Sequence, residues 1–131
     1  MGKYVLLFLA SLILICCSDT SGPQKNKLRD DLINRINEYY LSWGKFDLGK
    51  MWEFLPPDEA GNKQEFLERW KNVDLRVKDY HIMDIQISNG NAKVKIEATF
   101  TEHGEEFTDT CFDYWKIEKG KWILVDSGRK E

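Results

Sequence analysis

A strictly alternating stretch in the second half of the chain constrains its fold more than any other feature. Residues 92–100 read Ala-Lys-Val-Lys-Ile-Glu-Ala-Thr-Phe, so every second side chain is apolar. A period of two is typical of a half-buried β-strand. Asn89-Gly90 precedes the stretch, and such a pair favours a hairpin because a type I′ turn needs positive φ at both central residues. The pattern predicts an antiparallel sheet.

Two further residue pairs predict two more hairpin turns. His103-Gly104 and Lys119-Gly120 both lie between segments with strand-like composition. The turns together predict four antiparallel strands, over about residues 76–88, 91–102, 105–117 and 121–127.

Two-residue turns also fix the expected register, and a slip of one residue would move each side chain to the other face. In the first hairpin the expected pairs are Ile87–Ala92, Ile85–Val94, Met83–Ile96, His81–Ala98 and Asp79–Phe100. In the second they are Phe100–Phe107, Ala98–Asp109, Ile96–Cys111 and Val94–Asp113. This register places four polar residues on an otherwise apolar face: Asp79, His81, Asp109 and Asp113.

Three helical patterns precede the strands. Apolar residues recur at three- and four-residue spacing from Lys27 to Trp43. Asp47 is a candidate N-cap for a short second helix, and Asn62 for a third. Helices followed by an antiparallel meander indicate an α+β fold, with three N-terminal helices packed on a curved four-stranded antiparallel sheet.

The N-terminal segment has the features of a targeting signal. Lys3 is followed by an apolar run over residues 4–15, which is shorter than the roughly 20 residues that span a bilayer. The run ends in Cys16-Cys17 and a polar stretch, and in this it resembles a bacterial lipoprotein signal, where the first mature residue is a lipid-modified Cys. Cys17 fits that position better than Cys16, because a small residue precedes Cys17 whereas Ile15 precedes Cys16. A cleaved signal without lipid remains an alternative.

These features predict the domain organisation and the location of the protein. Residues 1–17 form the signal, 18–26 a flexible linker, and 27–131 the α+β domain. We expect the acylated Cys to anchor the domain to the lipid bilayer of the cell envelope, on the periplasmic face or at the outer membrane or cell surface.

Composition excludes several classes of function. Acidic and basic residues are mixed along the chain and the net charge is −3, which argues against nucleic-acid binding because that requires a basic patch. If Cys16 and Cys17 belong to the processing site, Cys111 is the one cysteine left for the domain; it forms no internal disulfide and is expected to be a small buried hydrophobe. Neither zinc-type His/Cys spacing nor a Gly-rich phosphate loop is present, so we expect no metal and no cofactor.

Three segments resemble the nuclear transport factor 2-like superfamily, whose fold is shared with cystatin-like proteins. They are Tyr39–Trp43 at the end of the long helix, the short helix Met51–Pro57, and the closing hairpin Tyr114–Ile123. The resemblance implies a cone-shaped domain that is often dimeric. The superfamily includes steroid isomerases, dehydratases, polyketide cyclases and non-catalytic binding domains, so the fold does not choose a function.

Three functional hypotheses follow. The leading one is non-catalytic binding of a small apolar ligand, or of a partner protein, with the pocket lined by Asp113, Trp115, Phe107, Phe100 and Met83. The second is an isomerase or dehydratase in which Asp109 or Asp79 is the general base and His81 the acid. The third is a structural envelope component, with a possible homodimer contact on the outer sheet face at Ile82, Phe112 and Tyr114. The alternative is that the expected register is wrong, or that a bulge turns some of the four polar residues outward.

Overall fold

The computed structural model describes residues 21–56 and 61–128. The chain divides into two compact units, residues 1–33 and 34–131. In the first unit, the described residues 21–33 are helical and mostly exposed. The second unit contains the sheet and the remaining helices. The predicted signal, with Cys16 and Cys17, lies outside the described residues.

The three predicted helices are present. They are α1 (Ser21–Gly44), α2 (Leu48–Trp52) and α3 (Lys63–Trp70). Helix α1 begins at Ser21 and not at Lys27, so the prediction of a flexible linker is wrong for residues 21–26. Pro23 lies in the first turn of the helix, where its missing N–H leaves no hydrogen bond unmade.

Both predicted N-caps are confirmed. The Asp47 side chain accepts a hydrogen bond from the Lys50 backbone N–H at 3.1 Å, and the Asn62 Oδ1 accepts one from the Glu65 N–H at 2.8 Å. These bonds satisfy N–H groups that the first turn of a helix leaves without partners. Across residues 21–56 and 61–128, no helix is long and apolar enough to cross a membrane.

The sheet has four antiparallel strands in the order β1-β2-β3-β4. They are β1 (Leu75–Ser88), β2 (Asn91–Glu102), β3 (Glu105–Glu118) and β4 (Lys121–Gly128). All three predicted turns have positive φ at both central residues; at Asn89 and Gly90, for example, φ is 52° and 75°. The hairpin predictions are confirmed.

The predicted register is right for one hairpin and partly wrong for the other. Strands β2 and β3 pair as predicted, with Ala98 opposite Asp109 and Val94 opposite Asp113. Strands β1 and β2 pair as predicted from Ser88 back to Asp84. The register then shifts between Ile82 and Asp84, and again between Val77 and Asp79. Each shift is a β-bulge, which adds one residue and exchanges the faces of the residues beyond it.

Within the second unit, aromatic side chains fasten helix α1 to the sheet. Tyr40 stacks on Tyr80 of β1 with ring centroids 5.0 Å apart. Trp43 packs on Phe100 of β2 at 5.4 Å, and Phe100 stacks on Phe107 of β3. The packing side of the sheet is therefore aromatic at the end near Trp43.

Candidate functional site

An apolar cavity of about 330 Å³ lies in the second unit, between the helices and strands β1 and β4. Aromatic and aliphatic side chains dominate its lining, and we call it cavity A. The described lining residues are Tyr39, Trp43, Phe46, Leu48, Met51, Leu55, Phe66, Trp70, Leu75, Leu124, Val125, Asp126 and Ser127. Its size is at the lower end of the roughly 300–1,000 Å³ typical of small-molecule sites.

Hydrogen bonding and ring packing hold the aromatic wall of cavity A in place. The Trp43 indole N–H donates to the Leu75 carbonyl oxygen at 2.8 Å, which ties the end of α1 to the start of β1. Tyr39 makes edge contacts with Trp43, Phe54 and Trp115, with centroids 5.7–6.1 Å apart. A wall fixed in this way is preformed, so little conformational entropy is lost when a ligand binds.

A bulge in β4 brings a polar group to cavity A. Trp115 pairs with Leu124 while its neighbour Tyr114 pairs with Asp126, so the strand carries one extra residue, Val125. After the bulge Ser127 pairs with Asp113 on the packing side of the sheet. The Ser127 Oγ donates a hydrogen bond to the Asp113 Oδ1 at 2.5 Å.

Asp113 is a buried carboxylate held by two hydroxyl groups. Its side chain has no exposed surface, and its Oδ2 accepts a hydrogen bond from the Tyr40 hydroxyl at 2.6 Å. Burial raises the pKa of the Asp113 carboxyl, and the bonds from Ser127 and Tyr40 act in the opposite direction. Burial and the nearby Asp113 charge raise the pKa of the Tyr39 and Tyr40 hydroxyls, which therefore stay protonated at neutral pH.

Two further cavities lie near by in the second unit. One of about 140 Å³ is lined by Phe100, Phe107 and Cys111 and shares Trp43, Leu75 and Ser127 with cavity A. The other, of about 460 Å³, lies beside the β3–β4 turn and has charged residues of both signs in its lining: Glu53, Glu118, Lys119 and Lys121. The apolar lining of cavity A distinguishes it from this charged groove, and we take cavity A as the candidate site.

The structure separates the residues predicted to act as acid and base. Asp79 and His81 lie on the outer face of β1, where both side chains are 65% exposed and 3.4 Å apart. The prediction that they face the apolar side is wrong because of the bulge between Ile82 and Asp84. Tyr80 takes the place of His81 opposite Ala98, and the predicted row of His81, Ala98 and Asp109 does not form.

The other predicted residues are placed as follows. Asp109 is half-buried, and Met83 is in the bulge with 55% of its surface exposed. Phe100 and Phe107 line the small cavity and not cavity A. Ile82 pairs with the buried Ile96, so it is not on the outer face with Phe112 and Tyr114. The homodimer contact proposed for that face remains a prediction.

Trp115 and Cys111 are both buried. The Trp115 indole N–H has no hydrogen-bond partner in the part of the chain that the structure describes, and its ring lies against Tyr39 behind the wall of cavity A. The burial of Cys111 agrees with its predicted role as a small buried hydrophobe. Among residues 21–56 and 61–128, no group of three or more His, Cys, Asp or Glu side chains is arranged to hold a metal ion.

The sequence did not point to most of cavity A. Its lining comes largely from helical residues such as Trp43, Met51 and Phe66, whose spacing indicated only the apolar face of a helix. A signal for the β1 bulge was present, because Tyr80 and Ile82 are out of phase with Ile85 and Ile87. A change of phase within one apolar strand is the signature of an inserted residue.

No protein-family model matches the sequence, and no curated protein matches it either. Solved structures do match. A structure of Bdellovibrio bacteriovorus Bd1075 has a TM-score of 0.64 at 15% identity over 84% of this chain, and this chain spans only 44% of it. An NTF-2 like protein of unknown function from Shewanella oneidensis has a TM-score of 0.58 at 16% identity, covering 75% of this chain and 98% of its own.

The fold is NTF2-like. A protein of unknown function with a cystatin-like fold from Nostoc punctiforme also matches, with a TM-score of 0.52 at 14% identity over 74% of this chain and 86% of its own. Three helices and a four-stranded antiparallel sheet are common to the NTF2-like and cystatin-like proteins, so the predicted fold class is confirmed. Identities this low establish the fold alone.

Proposed function

We propose that this NTF2-like domain binds a small apolar ligand in cavity A and does not catalyse a reaction on it. The observation that carries the proposal is a cavity of about 330 Å³ whose lining includes five aromatic side chains, three from α1 and the loop after it and two from α3. Burial of apolar ligand surface against such a wall supplies roughly 25 cal/mol per Å². The separation of Asp79 and His81 from Asp109 favours binding over acid–base catalysis.

The location of the protein belongs to the same proposal. The apolar run over residues 4–15 and the Cys16-Cys17 pair support a lipid anchor at Cys17. An anchored binding domain would hold its ligand at the surface of the cell envelope. Its role would then be that of a carrier or a sensor.

Native mass spectrometry of the full chain, extracted gently from its own host membrane, tests the binding proposal. We expect a discrete additional mass on the folded domain that is lost on denaturation. The same spectrum reports any acyl mass at the N-terminus. A folded domain that carries no additional mass, and that binds no apolar dye in titration, would contradict the proposal.

A matched pair of variants links any bound mass to cavity A. Val125 is half-buried in the cavity lining, so Val125→Trp should fill the space and abolish the additional mass. Met83 is exposed on the β1 bulge, and Met83→Trp should leave the mass unchanged. Equal loss in both variants, or in neither, would place the ligand elsewhere.

A further inference from the structure

The hydrogen bonds at Ser127 determine what the polar end of cavity A can offer a ligand. The Ser127 Oγ–H donates to the Asp113 Oδ1 at 2.5 Å. The Ser127 backbone N–H donates to the Asp126 Oδ1 at 3.0 Å. Both donors of Ser127 are therefore occupied, and a serine oxygen in this state can only accept a further hydrogen bond.

The charges around this end of the cavity are negative. Asp113 lies directly behind Ser127, fully buried and bonded to two hydroxyl groups. Asp126 is the one charged residue among the described lining residues of cavity A. Within residues 21–56 and 61–128, Asp113 has no Lys, Arg or His at ion-pair distance. The field at Ser127 therefore favours a positive group and disfavours an anion.

The aromatic wall can also attract a cation, as at Phe46, where the Arg76 guanidinium lies 4.6 Å from the ring centroid. The faces of Tyr39, Trp43 and Trp70 carry the negative side of the ring quadrupole, which attracts a cation positioned within about 6 Å of the ring centre. Ser127 is exposed, so a charged head at this end can keep part of its hydration while an apolar body lies against the aromatic and aliphatic lining. That arrangement avoids the cost of burying a complete charge.

We propose that the ligand of cavity A is a cationic amine on an apolar body, with the ammonium group at Ser127. The inference rests on the proposed binding function and specifies the chemical class of its ligand. A carboxylate of the same length would meet acceptor atoms and two aspartates in place of donors. A volume of about 330 Å³ accommodates roughly ten methylene-sized groups, if each occupies about the 30 Å³ of a water molecule in the liquid.

Three ten-carbon probes that differ only in the head group test the proposal: decylammonium, decanol and decanoate. Binding to the full chain is followed at pH 7 by tryptophan fluorescence, with each probe kept below its micelle concentration. We expect decylammonium to bind about tenfold more tightly than decanoate, as one charge-assisted hydrogen bond implies, with decanol between them.

Asp113→Asn is the decisive variant. An Asn side chain keeps the shape of Asp113 and can accept from Tyr40, while its NH₂ donates to the Ser127 Oγ and frees the serine hydroxyl to donate. The preference for the amine should fall to about twofold or less, with decanol affinity unchanged.

Asp126→Asn alters an exposed residue and should reduce the preference without affecting folding. Asp84→Asn removes one negative charge from the far side of β1 and should leave the preference as it is.

The outcomes separate this inference from the proposed function. Decanol binding with equal affinity for the amine and the carboxylate would overturn the inference and leave the binding function intact. An amine preference that survives in Asp113→Asn and Asp126→Asn would also overturn it. Failure of all three probes to bind would overturn both. The mass of the ligand from the native membrane then distinguishes a free amine from the amine head group of a lipid.

Discussion

Asp113 shows how one buried carboxylate can be held without a cation in the described part of the chain. Replacing it by Ala would leave the Tyr40 hydroxyl buried without its acceptor, at a cost of about 1–3 kcal/mol in the free energy of unfolding. Replacing it by Asn keeps both hydrogen bonds and removes the buried charge. We expect Asp113→Asn to be at least as stable as the parent protein at pH 7 and Asp113→Ala to be less stable, as measured by urea unfolding.

The same residue predicts a pH dependence. Because burial raises the pKa of the Asp113 carboxyl above its ordinary 3.8, the folded state binds the proton more tightly than the unfolded state. The contribution of Asp113 to stability is complete below the unfolded pKa and is lost as pH rises through the folded pKa. The stability of the parent protein relative to Asp113→Asn should therefore fall as pH rises above about 4. A parent protein that gains stability relative to Asp113→Asn as pH rises would contradict the raised pKa.

The sequence predicts the position of Asp113 on the packing side of the sheet, but not its two hydrogen-bond partners. The two-residue turn at His103-Gly104 sets the β2–β3 register, and that register places Asp113 beside Val94 on the packing side. Tyr40 lies 73 residues away on α1, and its distance from Asp113 depends on how the helix packs. Ser127 reaches Asp113 only because of the bulge at Val125. Local patterns determine neither of these contacts.

Strand β1 illustrates the limits of prediction at the scale of the element. Side chains alternate between the two faces of the sheet from the Asn89-Gly90 turn back to Ile85, as predicted. Beyond the bulge, Ile82 and Tyr80 lie on the packing side, where Met83 and His81 were expected. Packing an isoleucine and a tyrosine against the helices in place of a methionine and a histidine favours the bulge, because the histidine then stays in solvent. The Tyr80 hydroxyl also gains an acceptor, since it donates to the Asn37 Oδ1 at 2.6 Å.

Two neighbouring substitutions test this register. Ile82 is half-buried and faces the helices, so Ile82→Ala should cost about 1–2 kcal/mol of unfolding free energy, less than a fully buried isoleucine. Met83 is exposed, and Met83→Ala should change stability by no more than about 0.5 kcal/mol. An uninterrupted strand would reverse the order of the two effects, so chemical denaturation of the pair distinguishes the registers.

At the scale of the whole molecule, the cavity results from elements that are distant in sequence. Trp43 at the end of α1, Phe66 in α3 and Leu124 in β4 each have the apolar character of an ordinary core residue. The cavity exists because these side chains do not pack fully against one another, and how closely they pack depends on the tertiary arrangement of the helices and strands. The fold class could be predicted from turn residues and periodicity, whereas an internal volume could not.

The proposed anchor is also a property of the whole molecule, because it determines where the binding domain works. Each buried methylene of an acyl chain contributes roughly 0.8 kcal/mol, so one chain binds a membrane marginally and several on one cysteine bind it firmly. Cys17→Ser should remove the acyl mass and move the protein from the membrane fraction to the soluble fraction. Cys16→Ser, one residue away, should leave both unchanged. Acylation that persists in Cys17→Ser but not in Cys16→Ser would assign the lipid to Cys16, and membrane association of both variants without acyl mass would contradict the lipid anchor.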